Sequence, residues 1–240
     1  MEASLNQELT RRNFLLASAA MSLAAGSAKA ADKEKIGIIG AGNIGGVMGQ
    51  MLAQAGYPVM LSARDLGPVK AQAAKIGLGA VPGTVEEAAN FGPIIVMAVP
   101  WGALPEVGRD YAAQLKGKIV IDTCNPRAER DGDLAKEGLE KGTGVTDPKF
   151  LPGTRLVRAF NALAYTLLAS SAHHPGALIA VPLASDDKPA MDIVARIVRD
   201  VGFDPVVVGG LATAKSFDQS TPDYVTALTA SQLRKQLNIQ

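Results

Sequence analysis

The sequence predicts an α/β protein whose mostly parallel sheet carries helices on both faces. Short apolar runs alternate with helix-length segments from residue 36 onward. Most of these runs are continuously apolar, as strands covered on both faces are, whereas a half-exposed strand alternates with polar residues. A glycine-rich turn, Gly40 to Gly45, joins the first run to the first helix. Together these features are typical of a doubly wound sheet.

The individual elements follow from the same alternation. Strands are predicted at Ile36–Ile39, Val59–Leu61, Ile94–Val99, Ile119–Ile121, Leu156–Phe160, Ala177–Val181 and Pro205–Val208. Helices are predicted at Ile44–Gln54, Pro68–Lys75, Val85–Ala89, Leu104–Leu115, Asp131–Lys141, Ala164–Ser170, Lys188–Val201 and Thr221–Leu237. No linker or repeat interrupts them, so residues 31–240 are predicted to form a single domain with a short C-terminal extension over about 155–240.

The composition is that of an ordinary globular protein. The chain has 240 residues, of which 48% are hydrophobic and 20% charged, and its net charge is +1. This balance argues against a nucleic-acid surface and against a polybasic membrane anchor. The single cysteine, Cys124, excludes an internal disulfide. Nothing in the sequence decides whether the protein forms a homodimer.

The first 30 residues differ from the rest. Arg11 and Arg12 precede an apolar run, Phe14–Ala25, that is shorter than the roughly 20 residues of a membrane span. Small residues of the form A-x-A follow at Ala28-Lys29-Ala30, as they do before a signal-peptide cleavage site. An ordinary helix capped by Thr10 is the alternative, but the run has no polar face to support it.

The stretch "TRRNFLL" also resembles the twin-arginine export signature. Residues 1–30 are therefore predicted to be a twin-arginine signal peptide, with a mature chain that begins at Ala31. That route carries proteins already folded, which suits a protein that acquires a cofactor in the cytoplasm. The predicted location is periplasmic or otherwise extracytoplasmic, with no stable membrane span.

The glycine-rich turn has the context of a dinucleotide-binding motif. Gly40, Gly42 and Gly45 have the spacing G-x-G-x-x-G, follow a predicted strand and open a predicted helix. The first glycine permits the tight turn, the second lets the backbone approach a pyrophosphate, and the third lets helix and strand pack closely. Asn43 and Ile44 place their backbone N–H groups at the helix N-terminus, which favours phosphate. The predicted fold is therefore Rossmann-like.

The end of the second strand indicates which dinucleotide binds. An NAD-binding domain usually has Asp or Glu about 20 residues after the first glycine. Here Ser62 and Arg64 occupy that place, followed by Asp65. Arg64 suits a 2′-phosphate, and Ser62 is expected to donate a hydrogen bond to it. The sequence thus favours NADP; the alternative for Arg64 is a solvated surface arginine.

Five stretches resemble the NADP oxidoreductases that depend on coenzyme F420, a deazaflavin, and the related oxidoreductase domains of the six-transmembrane metalloreductases. They are "GAGNIGGVMGQMLAQAGYPVMLSAR", "IIVMAVPW", "GKIVIDTCNP", "RLVRAFNAL" and "VGFDPVVVGGLATAK", which together span most of residues 35–220. The resemblance implies a Rossmann-like fold, NADP binding and hydride transfer. It does not identify the second substrate.

The same resemblance implies further cofactor contacts. Val99, Pro100 and Trp101 would border the nicotinamide, and Asn125 and Asn161 would lie near its reactive end, with Asn161 as a positioning residue. Ligands of open α/β sheets do gather at the carboxyl ends of strands. The alternatives are core packing for Trp101, a turn or cap for Asn161, and a plain turn for Asn125 with the proline after it.

No acid–base set is evident in the sequence. No tyrosine begins a Tyr-x-x-x-Lys motif, and His173 and His174 are adjacent in a predicted loop with no third metal ligand. Cys124 is more readily a small buried thiol than a nucleophile. Lys215 resembles the catalytic lysine of hydroxyacid dehydrogenases only faintly, because the large helical domain of those enzymes is missing.

Three functions are compatible with these observations. The first is hydride transfer between NADP(H) and a small-molecule acceptor of the deazaflavin or flavin type, which needs alignment and little acid–base chemistry. The second is NADPH-dependent reduction of a small imine, ketone or hydroxyacid. The third is a non-catalytic NADP-binding sensor or a partner of a redox chain.

Overall fold

The apolar runs form one eight-stranded sheet in the computed structural model, which describes residues 33–219, 221 and 224–239. The strands are β1 Ile36–Ile39, β2 Val59–Ser62, β3 Val81–Gly83, β4 Ile94–Met97, β5 Ile119–Asp122, β6 Arg155–Arg158, β7 Ala180–Ala184 and β8 Asp204–Gly209. Their order in the sheet is β3-β2-β1-β4-β5-β6-β7-β8. β1 to β6 are mutually parallel, β7 is antiparallel to β6, and β8 is parallel to β7. The predicted Rossmann-like, mostly parallel sheet is confirmed.

Helices follow most strands. They are α1 Asn43–Gln54, α2 Leu66–Ile76, α3 Val85–Phe91, α4 Leu104–Asp110, α5 Ala112–Leu115, α6 Ala128–Asp131, α7 Leu134–Lys141, α8 Thr143–Phe150, α9 Tyr165–Ser171, α10 Lys188–Asp200 and α11 Ala230–Leu237. Short 3₁₀ helices form at Trp101–Ala103 and Leu211–Ser216. No helix among the described residues has the length and apolarity needed to cross a bilayer.

The sheet has a core on each face because successive strand residues point to opposite sides. In β4, Ile94 and Val96 pack in a core with α1, α2 and α10, while Ile95 and Met97 pack in a second core with α3, α4 and α5. All four side chains are buried. Burial on both faces explains why the strands are continuously apolar, and it leaves the ends of the strands as the place for a ligand.

Besides the two 3₁₀ helices, one strand and one α-helix escaped the sequence analysis. β3 is only Val81-Pro82-Gly83 and lies at the edge of the sheet, where a proline is tolerated. α8 contains Pro148 inside the helix, a residue that usually signals a break. Neither segment carries the apolar periodicity on which the other predictions rested.

Several boundaries also differ. The predicted helix Leu104–Leu115 divides at Tyr111, and the predicted strand Ala177–Val181 lies at Ala180–Ala184. The predicted helix Asp131–Lys141 is interrupted by Gly132, whose φ of 58° is left-handed. The predicted helix Thr221–Leu237 begins only at Ala230, because Thr229 and Gln232 form a capping box there.

The first described residues are fixed to α10. Lys33 Nζ lies 2.8 Å from Asp200 Oδ2, and the Tyr57 hydroxyl donates to the same oxygen at 2.7 Å. Arg196 Nη2 lies 2.5 Å from Glu34 Oε1. Burial, and then the hydrogen bond to Asp200, raise the pKa of Tyr57. The predicted signal peptide, residues 1–30, lies outside the described residues.

Candidate functional site: a cavity at the carboxyl ends of the strands

A cavity of about 620 Å³ opens where the strand order reverses, at the carboxyl ends of the central strands. β1 and β4 are neighbours although they are not consecutive, so the chain passes to opposite sides of the sheet from this point. In such sheets the switch point is where ligands bind. The lining residues are Asn43, Ile44, Ala98, Val99, Pro100, Thr123, Cys124, Asn125, Arg127, Arg130, Asn161, Leu163, Ala164, Tyr165, Tyr224 and Val225.

The glycine loop has the geometry that the motif predicts. Gly40 has a φ of 103°, and a Cβ there would collide with the carbonyl oxygen of Ala98 in the turn after β4. A Cβ on Gly45 would collide with the carbonyl oxygen of Gly40. Gly42 is different: its φ of −78° suits any residue, and a Cβ there would meet open space. The protein itself gives no steric reason for glycine at position 42, whereas a close-lying ligand would.

The N-terminus of α1 offers unpaired donors to that ligand. Gly42 is the N-cap residue and has no side chain to cap the helix, and the first turn contains no acidic residue. The first N–H groups of a helix have no partner within it, and they attract phosphate together with the helix dipole. Asn43 and Ile44 also line the cavity. The loop therefore fits the pyrophosphate of a dinucleotide.

Ser62 does not have the role that the sequence predicted. Its side chain is fully buried, and its hydroxyl donates to the carbonyl oxygen of Ile38 at 2.7 Å. Its own carbonyl oxygen accepts from the N–H groups of Gly40 and Ala41, at 3.0 and 2.9 Å. Ser62 thus fixes the glycine loop to β2, and its hydroxyl is unavailable to a phosphate in this geometry. That part of the NADP prediction is corrected.

Arg64 remains available at the end of β2. Its side chain is exposed and makes no hydrogen bond or ion pair with any residue that the structure describes. The neighbouring carboxylate, Asp65, is engaged as the N-cap of α2 and accepts from Gly67 N at 2.9 Å. The anion next to Arg64 is thus held on the helix. This arrangement suits an arginine that binds a phosphate from solvent.

Trp101 packs in the core, which the sequence analysis considered as the alternative. Its side chain is fully buried, and its ring meets the edge of Phe150 at a centroid distance of 5.3 Å. The indole N–H donates to Asp147 Oδ1 at 2.7 Å. Trp101 does not line the cavity, so its predicted contact with the nicotinamide is corrected, whereas Val99 and Pro100 do line it.

A buried ionic cluster lies behind the cavity. The guanidinium of Arg158, at the end of β6, is fully buried and faces three carboxylates. Its Nη1 lies 3.0 Å from Asp122 Oδ2 and 3.4 Å from Asp147 Oδ2, and its Nη2 lies 3.2 Å from Asp218 Oδ1. It also donates to the carbonyl oxygen of Cys124 at 2.8 Å. One guanidinium thus ties together the ends of β5 and β6, helix α8 and the C-terminal segment.

The excess of carboxylates affects protonation. Burial raises the pKa of Asp147 well above its usual value, and the negative charge of Asp122 raises it further. Arg158 opposes both effects only in part. Asp147 therefore holds its proton more tightly than an exposed aspartate does.

Asn125 and Asn161 come together at the wall of the cavity. Asn125 Nδ2 donates to the carbonyl oxygen of Asn161 at 2.8 Å, and Asn161 Nδ2 lies 3.3 Å from Asn125 Oδ1. Asn161 is only 2% exposed. The preceding residue, Phe160, is buried with a φ of 61°, a left-handed conformation that costs energy for any residue with a Cβ. The turn after β6 thus holds Asn161 at the cavity at the expense of strain.

Other chemistry-bearing residues of the sequence have structural roles or lie elsewhere. Cys124 lines the cavity but is 3% exposed, and burial raises the pKa of its thiol well above the usual value. His173 and His174 lie exposed after α9 and do not line the cavity. Lys215 donates to the carbonyl oxygen of Glu140 and is likewise absent from the lining.

Sequence reasoning missed five polar lining residues. One is Thr123, whose hydroxyl donates to the carbonyl oxygen of Met97 at 2.9 Å. Arg127 comes from the loop after β5, Arg130 from the short helix α6, Tyr165 from the start of α9, and Tyr224 from the C-terminal segment. Arg130 is held by Asp131 in two contacts of 2.7 Å and donates to the carbonyl oxygen of Asn125 at 2.8 Å. The arginines were foreseeable from the "NPRAER" loop that follows a strand end, whereas nothing local marked the tyrosines.

The family comparison agrees with this geometry. Residues 35–126 match the family described as NADP oxidoreductase, coenzyme F420-dependent. A curated relative, the metalloreductase STEAP3 of Rattus norvegicus, is 25% identical over 186 residues, which are 77% of this chain and 36% of that protein. The chain thus spans about a third of the length of that relative.

Solved structures show the same fold. A hypothetical protein from Sinorhizobium meliloti has a TM-score of 0.71 at 23% identity, covering 81% of this chain and 95% of that one. A protein of Arthrobacter sp. FB24 described as an F420-dependent NADP reductase has a TM-score of 0.64 at 22% identity, covering 76% and 88%. An imine reductase of Myxococcus stipitatus has a TM-score of 0.56 at 17% identity, covering 78% and 59%.

The fold and the glycine loop define the class as a Rossmann-like dinucleotide-binding domain, and residues 35–126 match a family of NADP oxidoreductases. The resemblance to the coenzyme F420-dependent NADP oxidoreductases is confirmed over residues 35–126.

Proposed function

We propose that the protein transfers a hydride between NADP(H) and a ring acceptor of the deazaflavin or flavin type. The observation that carries the proposal is one continuous cavity that begins at the uncapped N-terminus of α1 and extends past the ends of β4, β5 and β6. Its volume of about 620 Å³ lies in the usual range for small-molecule sites. A pyrophosphate at α1 would direct the nicotinamide toward Val99, Asn125 and Asn161.

The proposed chemistry asks mainly for alignment. When bound, NADPH would supply a hydride from C4 of its nicotinamide to the acceptor ring, and a proton from solvent would complete the reduced acceptor. The residues of this chain hold the two rings in contact and exclude water from between them. The apolar groups of Ile44, Val99 and Pro100 provide such a surface.

The charges around the cavity favour an acceptor with an anionic group. The lining contains two arginines and no carboxylate. Asp131 neutralises Arg130, whereas the exposed side chain of Arg127 makes no hydrogen bond or ion pair with a described residue. The phosphates of NADP already have α1 and Arg64 as partners. Arg127 is then available to the acceptor.

FMN and riboflavin test this acceptor class, because they share one ring and differ by a phosphate. We expect kcat/KM with NADPH to be about tenfold or more higher for FMN, since a charge-assisted contact contributes about 1.5–3 kcal/mol. Arg127→Gln should remove this advantage and leave riboflavin reduction unchanged. Arg109→Gln is the matched control, because Arg109 is exposed, pairs with Asp110 and is outside the cavity.

The preference for NADPH over NADH rests on Arg64. We expect NADPH to bind about ten- to a hundredfold more tightly than NADH, and Arg64→Ala to remove most of that difference while NADH binding hardly changes. Calorimetry with both cofactors on both variants measures it. Equal affinities in the wild type would contradict the assignment.

Reduction of a small imine, ketone or hydroxyacid is the second candidate, and the tyrosines favour it. Tyr165 and Tyr224 line the cavity, where a proton donor would be needed, and each carries a hydroxyl group. Stopped-flow absorbance of NADPH with flavins, a deazaflavin, an imine and a ketone separates the two. If only the imine or the ketone is reduced, and Tyr165→Phe or Tyr224→Phe abolishes that activity, the hypothesis of ring-to-ring transfer is wrong and the second candidate is supported. NADP binding without any turnover would indicate the sensor or redox-chain partner.

We also propose that the protein works outside the cytoplasm. Support comes from the paired arginines, Arg11 and Arg12, the short apolar run and the A-x-A site before Ala31. The twin-arginine route would carry the folded domain with its dinucleotide bound. A dinucleotide retained through many cycles would then be re-reduced or re-oxidised in place.

A further inference from the structure

The orientation of the two amide side chains at the cavity follows from their neighbours. Asn125 lies between Arg158, which only donates hydrogen bonds, and the backbone carbonyl of Asn161, which only accepts them. Arg158 Nη2 is 3.3 Å from Asn125 Oδ1, and Asn125 Nδ2 is 2.8 Å from that carbonyl oxygen. The oxygen of Asn125 must therefore face Arg158, and its NH₂ must face Asn161.

The amide of Asn161 is oriented in the same way. Its Nδ2 lies 3.3 Å from Asp218 Oδ1 and 3.3 Å from Asn125 Oδ1. Both are acceptors, because the carboxylate of Asp218 is held by Thr143 N at 2.8 Å and by Arg158. A reversed amide would place oxygen against two oxygens. The hydrogen-bond network thus fixes which atom of the Asn161 amide is the nitrogen and which is the oxygen.

This orientation leaves Asn161 Oδ1 without a partner among the described residues. Asn161 is 98% buried, lines the cavity, and is held there by the strained turn at Phe160. A buried acceptor without a hydrogen bond is unfavourable. A ligand that brings an N–H donor to the cavity would satisfy it.

We propose that Asn161 Oδ1 accepts a hydrogen bond from the carboxamide NH₂ of the nicotinamide, and that Asp218, backed by Arg158, is the positioning residue that turns this oxygen toward the ligand. The inference rests on the proposed dinucleotide site. Asp218 would then help the protein to recognise the carboxamide of the nicotinamide, although it lies far outside the family segment 35–126.

The carboxamide is the favoured donor because the same cavity begins at the N-terminus of α1. Asn43 and Ile44 line it at one end, and Asn125 and Asn161 line it where β5 and β6 end. A dinucleotide whose pyrophosphate lies on α1 would extend its nicotinamide in that direction. A ring N–H of the second substrate is the other source of such a donor, and a binding experiment without any acceptor separates the two.

The probes are NADP⁺ and its 3-acetylpyridine analogue, which replaces the carboxamide NH₂ by a methyl group. We expect the wild type to bind NADP⁺ about three- to tenfold more tightly than the analogue by calorimetry, the range that one neutral hydrogen bond gives. Asp218→Asn should reduce this ratio toward one. Thr143 N would hold the oxygen of the new amide, so its NH₂ would face Asn161 and favour the reversed orientation.

Two further variants make the result decisive. Asn161→Ala removes Oδ1 with a neutral substitution, so it should bring the ratio to one even if Asp218→Asn does not fold. Asp204→Asn removes a carboxylate at the start of β8, away from the cavity lining, and should keep the wild-type ratio.

Equal affinities in the wild type, or a ratio unchanged in Asn161→Ala, would overturn the contact. A ratio unchanged in folded Asp218→Asn would overturn the positioning role. A ratio that behaves as expected, in a protein that reduces no acceptor, would support this inference while the proposed hydride transfer fails. If the wild type does not bind NADP⁺, both this inference and the proposed hydride transfer are contradicted.

Discussion

At the scale of single residues, Arg158 supplies the positive charge that stabilises the buried carboxylates of the ionic cluster. Its guanidinium is the cation that faces Asp122, Asp147 and Asp218. Arg158→Met keeps much of the volume but leaves these carboxylates without a counter-charge. We expect the free energy of unfolding to fall by about 3–5 kcal/mol, the usual result of breaking a buried ion pair on one side. Urea denaturation at neutral pH measures the loss.

A surface arginine provides the comparison for that variant. Arg109 pairs with Asp110, and its side chain is 72% exposed. Arg109→Met should change the free energy of unfolding by less than about 1 kcal/mol, because exposed ion pairs contribute little. Similar losses in the two variants would show that Arg158 is not balancing buried charge.

Residue-level prediction succeeded where backbone geometry demanded one residue type. Gly40 and Gly45 were readable because a Cβ at either would strike backbone. The predictions for Ser62 and Trp101 were wrong, because the sequence around a serine at a strand end or a tryptophan beside a proline does not show whether the side chain faces a ligand or the core. Only the contacts with Ile38 and Asp147 decide these two positions.

At the scale of elements, Asp187 links a strand to a helix. It caps α10 by accepting from Ala190 N at 2.9 Å, and it pairs with Arg155 of β6 at 2.6 and 3.0 Å. The Arg155 contact, and then the cap, lower the pKa of Asp187 to about 2. Asp187→Ala loses both interactions. We expect it to cost about 0.5–2 kcal/mol for the cap alone, measured by urea denaturation.

The charge of Asp187 can be separated from its capping role. Asn is also a good N-cap residue, so Asp187→Asn should retain the cap and lose only the pairing with Arg155. Because the pKa is lowered on folding, that pairing stabilises the protein fully above about pH 4 and is lost as pH falls toward 2. The stability difference between wild type and Asp187→Asn should therefore shrink over this interval. A difference constant with pH would contradict the ion pair.

The sequence predicted those elements whose burial requires a pattern of apolar residues. It did not predict elements that depend on contacts with residues distant in sequence. The strands in the middle of the sheet are continuously apolar because both faces are covered, and their positions were largely foreseen. α8 was not, because Thr143 and Thr146 are buried polar residues with partners in Asp218 and in the helix itself. Such a helix has no apolar stripe, so its formation depends on side chains distant in sequence.

At the scale of the whole molecule, the C-terminal segment completes the cavity. Tyr224 and Val225 line it, and the N–H of Val225 donates to the carbonyl oxygen of Ala162 at 2.7 Å. The sequence analysis regarded residues after about 155 as an extension. The structure shows that Tyr224 and Val225 supply part of the wall. No local motif could indicate this, because the segment that carries them follows β7, which runs antiparallel to β6, and β8, which is parallel to β7.

The described contacts of the domain begin just after the proposed cleavage site of the signal peptide. Lys33 and Glu34, two and three residues past the predicted mature start at Ala31, pair with Asp200 and Arg196 of α10. Cleavage before Ala31 would therefore leave every described contact of the domain in place. We expect the protein that lacks residues 1–30 to unfold at the same temperature as the full chain.

Export itself is tested with Arg11 and Arg12. Replacing both with lysine keeps the positive charge of the segment but removes the paired arginines that the twin-arginine signature requires. We expect the variant to accumulate in the cytoplasm as an uncleaved precursor, with NADP still bound, while the wild type appears in the periplasm with Ala31 as its first residue. Cell fractionation and N-terminal sequencing measure both. Periplasmic protein that still begins with Met1 would contradict cleavage, and equal export of the two forms would contradict the twin-arginine route.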